Sequence, residues 1–423
     1  MEKLKNYLAN SYTAYHAVEN AKTLLAQNGF IALKETDDWT IEENGKYYLE
    51  RGGCALIAFT VGNLDSFSFK IAAAHVDSPA LKIKENPVMK TDKYEKLNVE
   101  TYGGGLWYSF LDRPLKIAGR IITEENGALK SENVVSDYFV TVPSVAIHQN
   151  RTANESLAIN AQVDLPALLS VAGAGGEWLS SITDKQVISK DLFLVNADMP
   201  YTFGVKNEFL ASPRIDDLSG AYAILQALID HAENSAGICI AALFDNEEIG
   251  SNTSQGAAGD FLENTLRRIT YTLNLDECEL YKVLATSVLV SVDNAHGVHP
   301  NHPEKADPTN RPTLGGGVVI KHHAGKAYTT DAMSAAIMQT VCNRAGVEYQ
   351  SFFNRSDVRS GSTLGVISQA RISMLAVDIG IAQLAMHSAN ECFAVVDYEA
   401  MQNALTAFYS SSITVDGDKV TIE

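Results

Sequence analysis

The segment Gly237-Ile-Cys-Ile-Ala-Ala-Leu-Phe244-Asp-Asn-Glu-Glu-Ile-Gly-Ser251 joins an unbroken apolar run to two adjacent carboxylates and a glycine. A short apolar run with little alternation suits a strand covered on both faces. Adjacent carboxylates repel unless something offsets their charge. A metal ion does so: one carboxylate binds it and the other serves as base for the water it activates. The alternative is a solvated turn that carries two acids. Neighbouring side chains of a regular strand point to opposite faces, so both glutamates serve one site only if the chain leaves the strand at or before Glu247. Gly250 fits a loop there.

Three more apolar runs flank this one in the chain: Phe67 to Ala74, Ser287 to Val292 and Ile372 to Val377. Helical spacing appears between them, over Leu218 to His231 and over Asp331 to Ala345. Asp331 is placed as an N-cap of the second and Gly346 as its stop. Strands alternating with helices predict an α/β sandwich with a mixed, largely parallel sheet. From about Pro87 to Leu210 the pattern changes to short β-type runs, such as Leu115 to Ile122 and Tyr138 to Ile147, with turns such as Glu125-Asn-Gly127. Gly103-Gly-Gly105 reads as a flexible or closely approached turn. The α/β pattern resumes after Ser212-Pro213. The expected organisation is an α/β domain from 1–86 and 211–423 with a β-rich domain, 87–210, inserted in it.

The 423 residues carry a formal net charge of −18. Such a balance argues against nucleic acid, which needs a basic footprint, and against an anionic membrane surface. Cys54, Cys239, Cys278, Cys342 and Cys392 are scattered and form no Cys-x-x-Cys pair, so neither a disulfide framework nor a cysteine zinc site is expected. Met1-Glu-Lys-Leu-Lys leads into a polar helical pattern rather than a signal peptide, and no apolar stretch is long enough to span a bilayer. The expectation is a soluble, cytoplasmic protein.

The polar residues cluster at strand ends. His75-Val-Asp77 follows the first apolar run, Asp245 to Glu248 the second, and Asp293 the third. Open α/β sheets place their sites at the carboxyl ends of strands, so His, Glu and Asp arrive at one edge. Asp77 is placed to accept the second N–H of a metal-bound His75. Alternatively it is a turn or cap residue, since Asp77-Ser-Pro79 also reads as a turn. In Ser212-Pro-Arg-Ile-Asp-Asp217, an aspartate is either a simple N-cap or a carboxylate bridging two metals. His296, His299 and His302 follow Asp293 but lack the spacing of His-Glu-x-x-His zinc peptidases, and Asp293 is weighted above them. His387, after a further apolar stretch, supplies another imidazole.

These segments together resemble the aspartyl aminopeptidase and vacuolar aminopeptidase I family of dinuclear zinc exopeptidases. The resemblance is carried by Ala74-His-Val-Asp-Ser-Pro79, Gly103-Gly-Gly-Leu-Trp107, Val142-Pro-Ser-Val-Ala-Ile-His148, Ser212-Pro-Arg-Ile-Asp-Asp217, Asp245-Asn-Glu-Glu-Ile-Gly-Ser251, Asp293-Asn-Ala-His-Gly-Val-His-Pro-Asn301 and Gln383-Leu-Ala-Met-His-Ser388. It implies a zinc-exopeptidase α/β sandwich whose inserted domain dimerises. His75 and Asp293 would bind one metal, Glu248 and His387 the other, and Asp216 would bridge them. Glu247 would be the general base and Asp77 would orient His75. His148 would reach a neighbouring subunit's site, and Lys321 would lie near the specificity pocket. The implied assembly is a homo-oligomer, dimers building a tetrahedral dodecamer. The implied reaction removes the N-terminal residue of peptide substrates, with a lean to acidic residues. Two Zn2+ ions per subunit are expected, and mixed His/carboxylate sites also accept Co2+ or Mn2+. A deblocking peptidase or N-acyl deacylase would use the same ligands, and a non-catalytic peptide-binding assembly is the reading from another class. The chain departs from the family pattern in three places. No proline precedes His16 in Ser11-Tyr-Thr-Ala-Tyr-His16, Asp217 stands where Asn is common, and His322-His-Ala-Gly-Lys326 replaces the usual polar run.

Overall fold

The computed structural model describes residues 1–64, 67–231 and 237–423. Its frame is a 13-stranded mixed sheet whose centre runs Ala55–Val61, Ile238–Phe244, Phe69–His75, Val288–Val292 and Leu375–Leu384. The last four of these are mutually parallel, while Ala55–Val61 lies antiparallel against Ile238–Phe244. All seven residues of Ile238–Phe244 are buried because both faces of the sheet are covered. Alternate side chains feed two different cores. Cys239, Ala241 and Leu243 join Leu218, Leu225 and Leu405 on one side. Ile238, Ile240, Ala242 and Phe244 join Phe261, Leu266 and Ile269 on the other. At about 1.5–3 kcal/mol per fully buried large apolar side chain, this strand anchors both layers.

Helix Ile215–Asp230 packs on Phe69–His75 and on helix Val395–Ser410. Helix Ala332–Ala345 begins in a capping box, with Asp331 accepting from the Ser334 amide at 2.8 Å, and ends at Gly346 with φ +66°. Both boundaries were legible from residue type: Asp supplies an acceptor to a free helix N–H, and Gly takes the left-handed turn at no steric cost.

A second, six-stranded sheet is wholly antiparallel, in the order Ala128–Val135, Leu115–Glu125, Val187–Asn196, Ala80–Lys90, Tyr94–Tyr102, Ala167–Val171. It covers its own core, built on Leu81, Leu97, Ile117, Ile121 and Leu192. Asn126 and Gly127, both at positive φ, turn the Glu125–Ala128 hairpin. The sheet starts at Ala80, ahead of residue 87. Beyond Asn196 the strands Tyr201–Phe203 and Phe209–Ser212 belong to the large sheet.

Two strand expectations need correction. Tyr138 to Ile147 forms no ladder strand: only isolated bridges at Val140, Thr141 and Val142 tie it down before the chain turns. Ile372 does not open a strand but closes helix Leu364–Ile372. Ser373, at φ +46°, separates that helix from a strand that begins at Leu375 and runs on to Leu384.

Candidate metal centre

The four parallel strands end at one edge of the sheet, and four loops leave from there. Phe69–His75 ends on His75 itself, Ile238–Phe244 leads to Glu247 and Glu248, Val288–Val292 to Asp293, and Leu375–Leu384 to His387. Asp216 comes from the opposite layer, at the start of helix Ile215–Asp230, where Asp216 and Asp217 have non-helical backbone angles. The Asp216–Asp217 peptide is cis. The simple N-cap reading fails for both residues: Asp217 has neither carboxylate oxygen hydrogen-bonded, and Asp216 Oδ1 has no hydrogen-bond partner either.

The glutamate pair lies off the strand. The chain leaves regular β structure after Phe244, Asn246 adopts φ +62°, and Glu247–Ile249 is one turn of 3-10 helix closed by Gly250 at φ +97°. Asp77 holds this turn: its carboxylate accepts the Glu247 amide at 3.1 Å, the Glu248 amide at 3.2 Å and the Tyr102 hydroxyl at 2.7 Å. Gly103 sits against it at φ +75°, where a Cβ would come within 3.2 Å of the Glu248 Cβ. The triple glycine is therefore a close approach.

Both imidazoles are oriented alike. His75 Nδ1 donates to the Asp77 carbonyl at 3.1 Å, and His387 Nδ1 donates to the Gly104 carbonyl at 3.0 Å. Each therefore turns Nε2 inward. His75 Nε2 is 3.4 Å from Asp216 Oδ1, and His387 Nε2 is 3.6 Å from Asp216 Oδ2 and 3.3 Å from Glu248 Oε2. Lone pairs facing carboxylate oxygens at these distances repel, so a cation or a proton must lie between them. One ligand atom from each of Asp216, Glu248 and His387 lies within 4.8 Å of the others. Asp216 Oδ1 and Glu248 Oε1 are buried acceptors with no hydrogen-bond donor. Mixed imidazole and carboxylate donors with orphaned buried oxygens suit zinc.

Charge supports the same conclusion. Asp77, Asp216, Asp217, Asp245, Asp293 and Glu391 are all buried here. Among the described residues, the one lysine or arginine ion-paired to any of these acids is Lys321, whose Nζ lies 3.0 Å from Asp293 Oδ1. Burial pushes the Glu247 carboxyl up to about 8; His75 opposes this, while Asp293, Asp77 and Asp216 add to it. Burial likewise raises Glu248 and Asp217 well above the carboxylate range. Burial pushes Asp216 up, but His75, together with the charges of His387 and Lys321, more than offsets it, and Asp216 is held low.

A cavity of about 370 Å3 opens onto the site and gathers His75, Asp216, Glu247, Asp293, Lys321 and His387 on its walls. His148 is not brought there: it is exposed on the loop after Val142 and lines none of the cavities described. Lys321 is buried, with Nζ donating to Asp293 O and Oδ1 and to Asn294 O. Glu391 escaped sequence reasoning. It is buried, accepts the Asp216 amide at 3.0 Å and the His387 amide at 2.6 Å, and so joins two ligand-bearing segments. Nothing in Ser388-Ala-Asn-Glu391 marks it, because its role is made by contacts to distant backbone.

Comparison with known proteins places this geometry. A family model, aminopeptidase I zinc metalloprotease (M18), matches residues 7–409. A probable M18 family aminopeptidase 2 of Clostridium acetobutylicum is 40% identical, over 97% of this chain and 98% of that one. A chain in the cryo-EM structure of the Ape4 and Nbr1 complex superposes with a TM-score of 0.93 at 31% identity, over 97% of this chain and 85% of that one. The S. cerevisiae mApe1 dodecamer superposes with a TM-score of 0.82 at 26% identity, over 96% and 95%. The mixed sheet, the separate antiparallel sheet and the zinc-type donor set belong together: this chain is a member of the M18 family of zinc metalloaminopeptidases.

Proposed function

We infer that the protein removes the N-terminal residue of peptides at a co-catalytic zinc pair: His75 and Asp293 would hold one ion, Glu248 and His387 the other, and Asp216 would serve both. The observation that carries this reading is the pair of inward Nε2 atoms set against the carboxylates of Asp216 and Glu248, whose Oδ1 and Oε1 are buried without a donor. When bound, a zinc pair supplies Lewis acidity and lowers the pKa of water. Glu247 takes a proton from the attacking water and delivers it to the leaving amine nitrogen. Its raised pKa suits it to hold that proton between the two steps. Asp77 fixes the base by binding both amides of its turn and orients His75 through the backbone carbonyl. Glu391 keeps Asp216 and His387 in register.

Lys321 has its N–H bonds committed to Asp293 and Asn294, so it favours an acidic first residue through its charge in the cavity wall rather than by donating to the side chain. The second sheet, from Ala80 to Asn196, serves as the dimerisation domain. By analogy with the mApe1 dodecamer, dimers assemble further, and His148 on its exposed loop completes a neighbouring subunit's site.

The test is a panel of zinc-loaded assays on paired peptides, free and N-acetylated, with each type of first residue. Release of the free N-terminal residue, with acetylated partners left intact, is the expected result. Cleavage of the acetylated peptides alone would assign the site to a deblocking enzyme or deacylase.

A further inference from the structure

Three histidines follow Asp293, and only His296 lines the cavity at the metal centre. His299 and His302 border a second cavity of about 400 Å3. It shares His296, Phe352, Gly361 and Met386 with the first, so the two are neighbours with a common wall. Two loops face each other across it. The loop after Asp293 brings His299, His302 and Lys305, and the loop after Phe352 brings Arg355 and Arg359. The one carboxylate on its wall, Asp307, is turned into its own loop, where Oδ1 accepts the Thr309 and Asn310 amides at 3.0 and 2.7 Å.

The cations are not equally free. Arg355 forks onto Asp357 at 2.9 and 2.7 Å and also donates to the Glu304 carbonyl. Lys305 and Arg359 are exposed, and among the described residues neither side chain makes a direct ion pair or hydrogen bond, although the Lys305 charge acts on Glu304 and Asp357 from a distance. His302 donates Nδ1–H to Glu304 at 3.2 Å. His299 Nδ1 accepts the Asn301 amide at 3.2 Å, which leaves its Nε2 as a donor. In a chain of net charge −18, a cleft wall with three basic side chains to one carboxylate, and a further N–H donor, departs from the balance of the whole, with Glu304 and Asp357 standing beside it. A concave wall of one sign concentrates ligands of the other.

We propose that this second cavity is a subsite for carboxylates in the leaving part of the peptide, within its first two residues. The proposal rests on the aminopeptidase reading above. The first residue of the substrate occupies the cavity at the metal centre, beside Lys321 and Tyr328. The chain beyond the scissile bond then crosses the shared residues into the basic cavity. There Phe353, Val358 and Leu384 cover the methylenes of an Asp or Glu side chain while Lys305 and Arg359 meet its carboxylate.

The experiment measures kcat/KM for zinc-loaded protein on peptide pairs that differ only by Glu or Gln at position two or three, behind one fixed first residue. The wild type should favour Glu about tenfold, the size of one charge-assisted contact. K305A/R359A should bring the ratio to one, and K305E/R359E should reverse it. Zinc content and circular dichroism check that both variants fold. A wild-type ratio of one, or a ratio that K305A/R359A leaves unchanged, overturns the subsite while peptide hydrolysis itself stands. Failure to cleave any free peptide overturns the aminopeptidase reading and the subsite with it.

Discussion

Glu248 at the end of the large sheet, with its side chain buried, and Asp191 in the second sheet, with its side chain partly buried, are treated in opposite ways. Asp191 receives Lys82 and Arg120, each at 3.1 Å, and the Tyr15 hydroxyl at 3.3 Å. Burial would raise its pKa, but those two cations hold it below the usual value. Among the described residues Glu248 is paired with no lysine or arginine; it faces an imidazole nitrogen at 3.3 Å and leaves Oε1 without a donor. A partly buried charge with its partners supplied by the chain is structure. A buried charge without them signals that the partner comes from outside.

The sharpest way to break this contrast is at Glu247, the acid placed in the site without a ligand role. Glu247→Gln should retain full zinc content while kcat falls by roughly 10³-fold. Turnover close to wild type would remove Glu247 as the base. The next largest effect is on stability without metal. Glu247 is pushed up to about 8 and Asp245 to about 7, burial being the main cause in both. The native state therefore binds more protons than the unfolded chain, and stability falls as pH rises from about 4 to about 8. Asp216, held low by His75, acts in the opposite sense but is one group against several. Melting of the metal-free protein should drop by several degrees from pH 5 to pH 8, and zinc should remove most of that drop. A melting temperature that rises over this range contradicts the assignment. The smallest effect belongs to the second sheet: Asp191→Asn should cost about 1 kcal/mol, as expected for a part-exposed pair, and leave zinc stoichiometry unchanged.

What the sequence displayed and what it hid follow from the range of the interactions. His75, Glu247, Glu248 and Asp293 were legible because each sits just past an apolar run, and strand ends converge in a parallel sheet. Asp331 and Gly346 were legible because caps are local chemistry. Glu391 was not, since it acts on the amide of Asp216, far away in the chain. Asp77 was only half legible: its link to His75 spans two residues, but its grip on the Glu247 and Glu248 amides depends on two strands lying side by side. Tyr138 to Ile147 has strand composition without a strand, because composition records apolar content and not whether a neighbour is there to pair.

The central claim is that the orphaned acids and inward imidazoles form a site for two metal ions that performs aminopeptidase chemistry. Titration of zinc into metal-free protein, with hydrolysis of a free-amine peptide followed at each addition, tests it most directly. Saturation is expected at two zinc ions per chain, with activity that rises with occupancy and loss of one ion in His387→Ala. Saturation at fewer than two ions in the wild type, or peptide turnover independent of zinc, would contradict it.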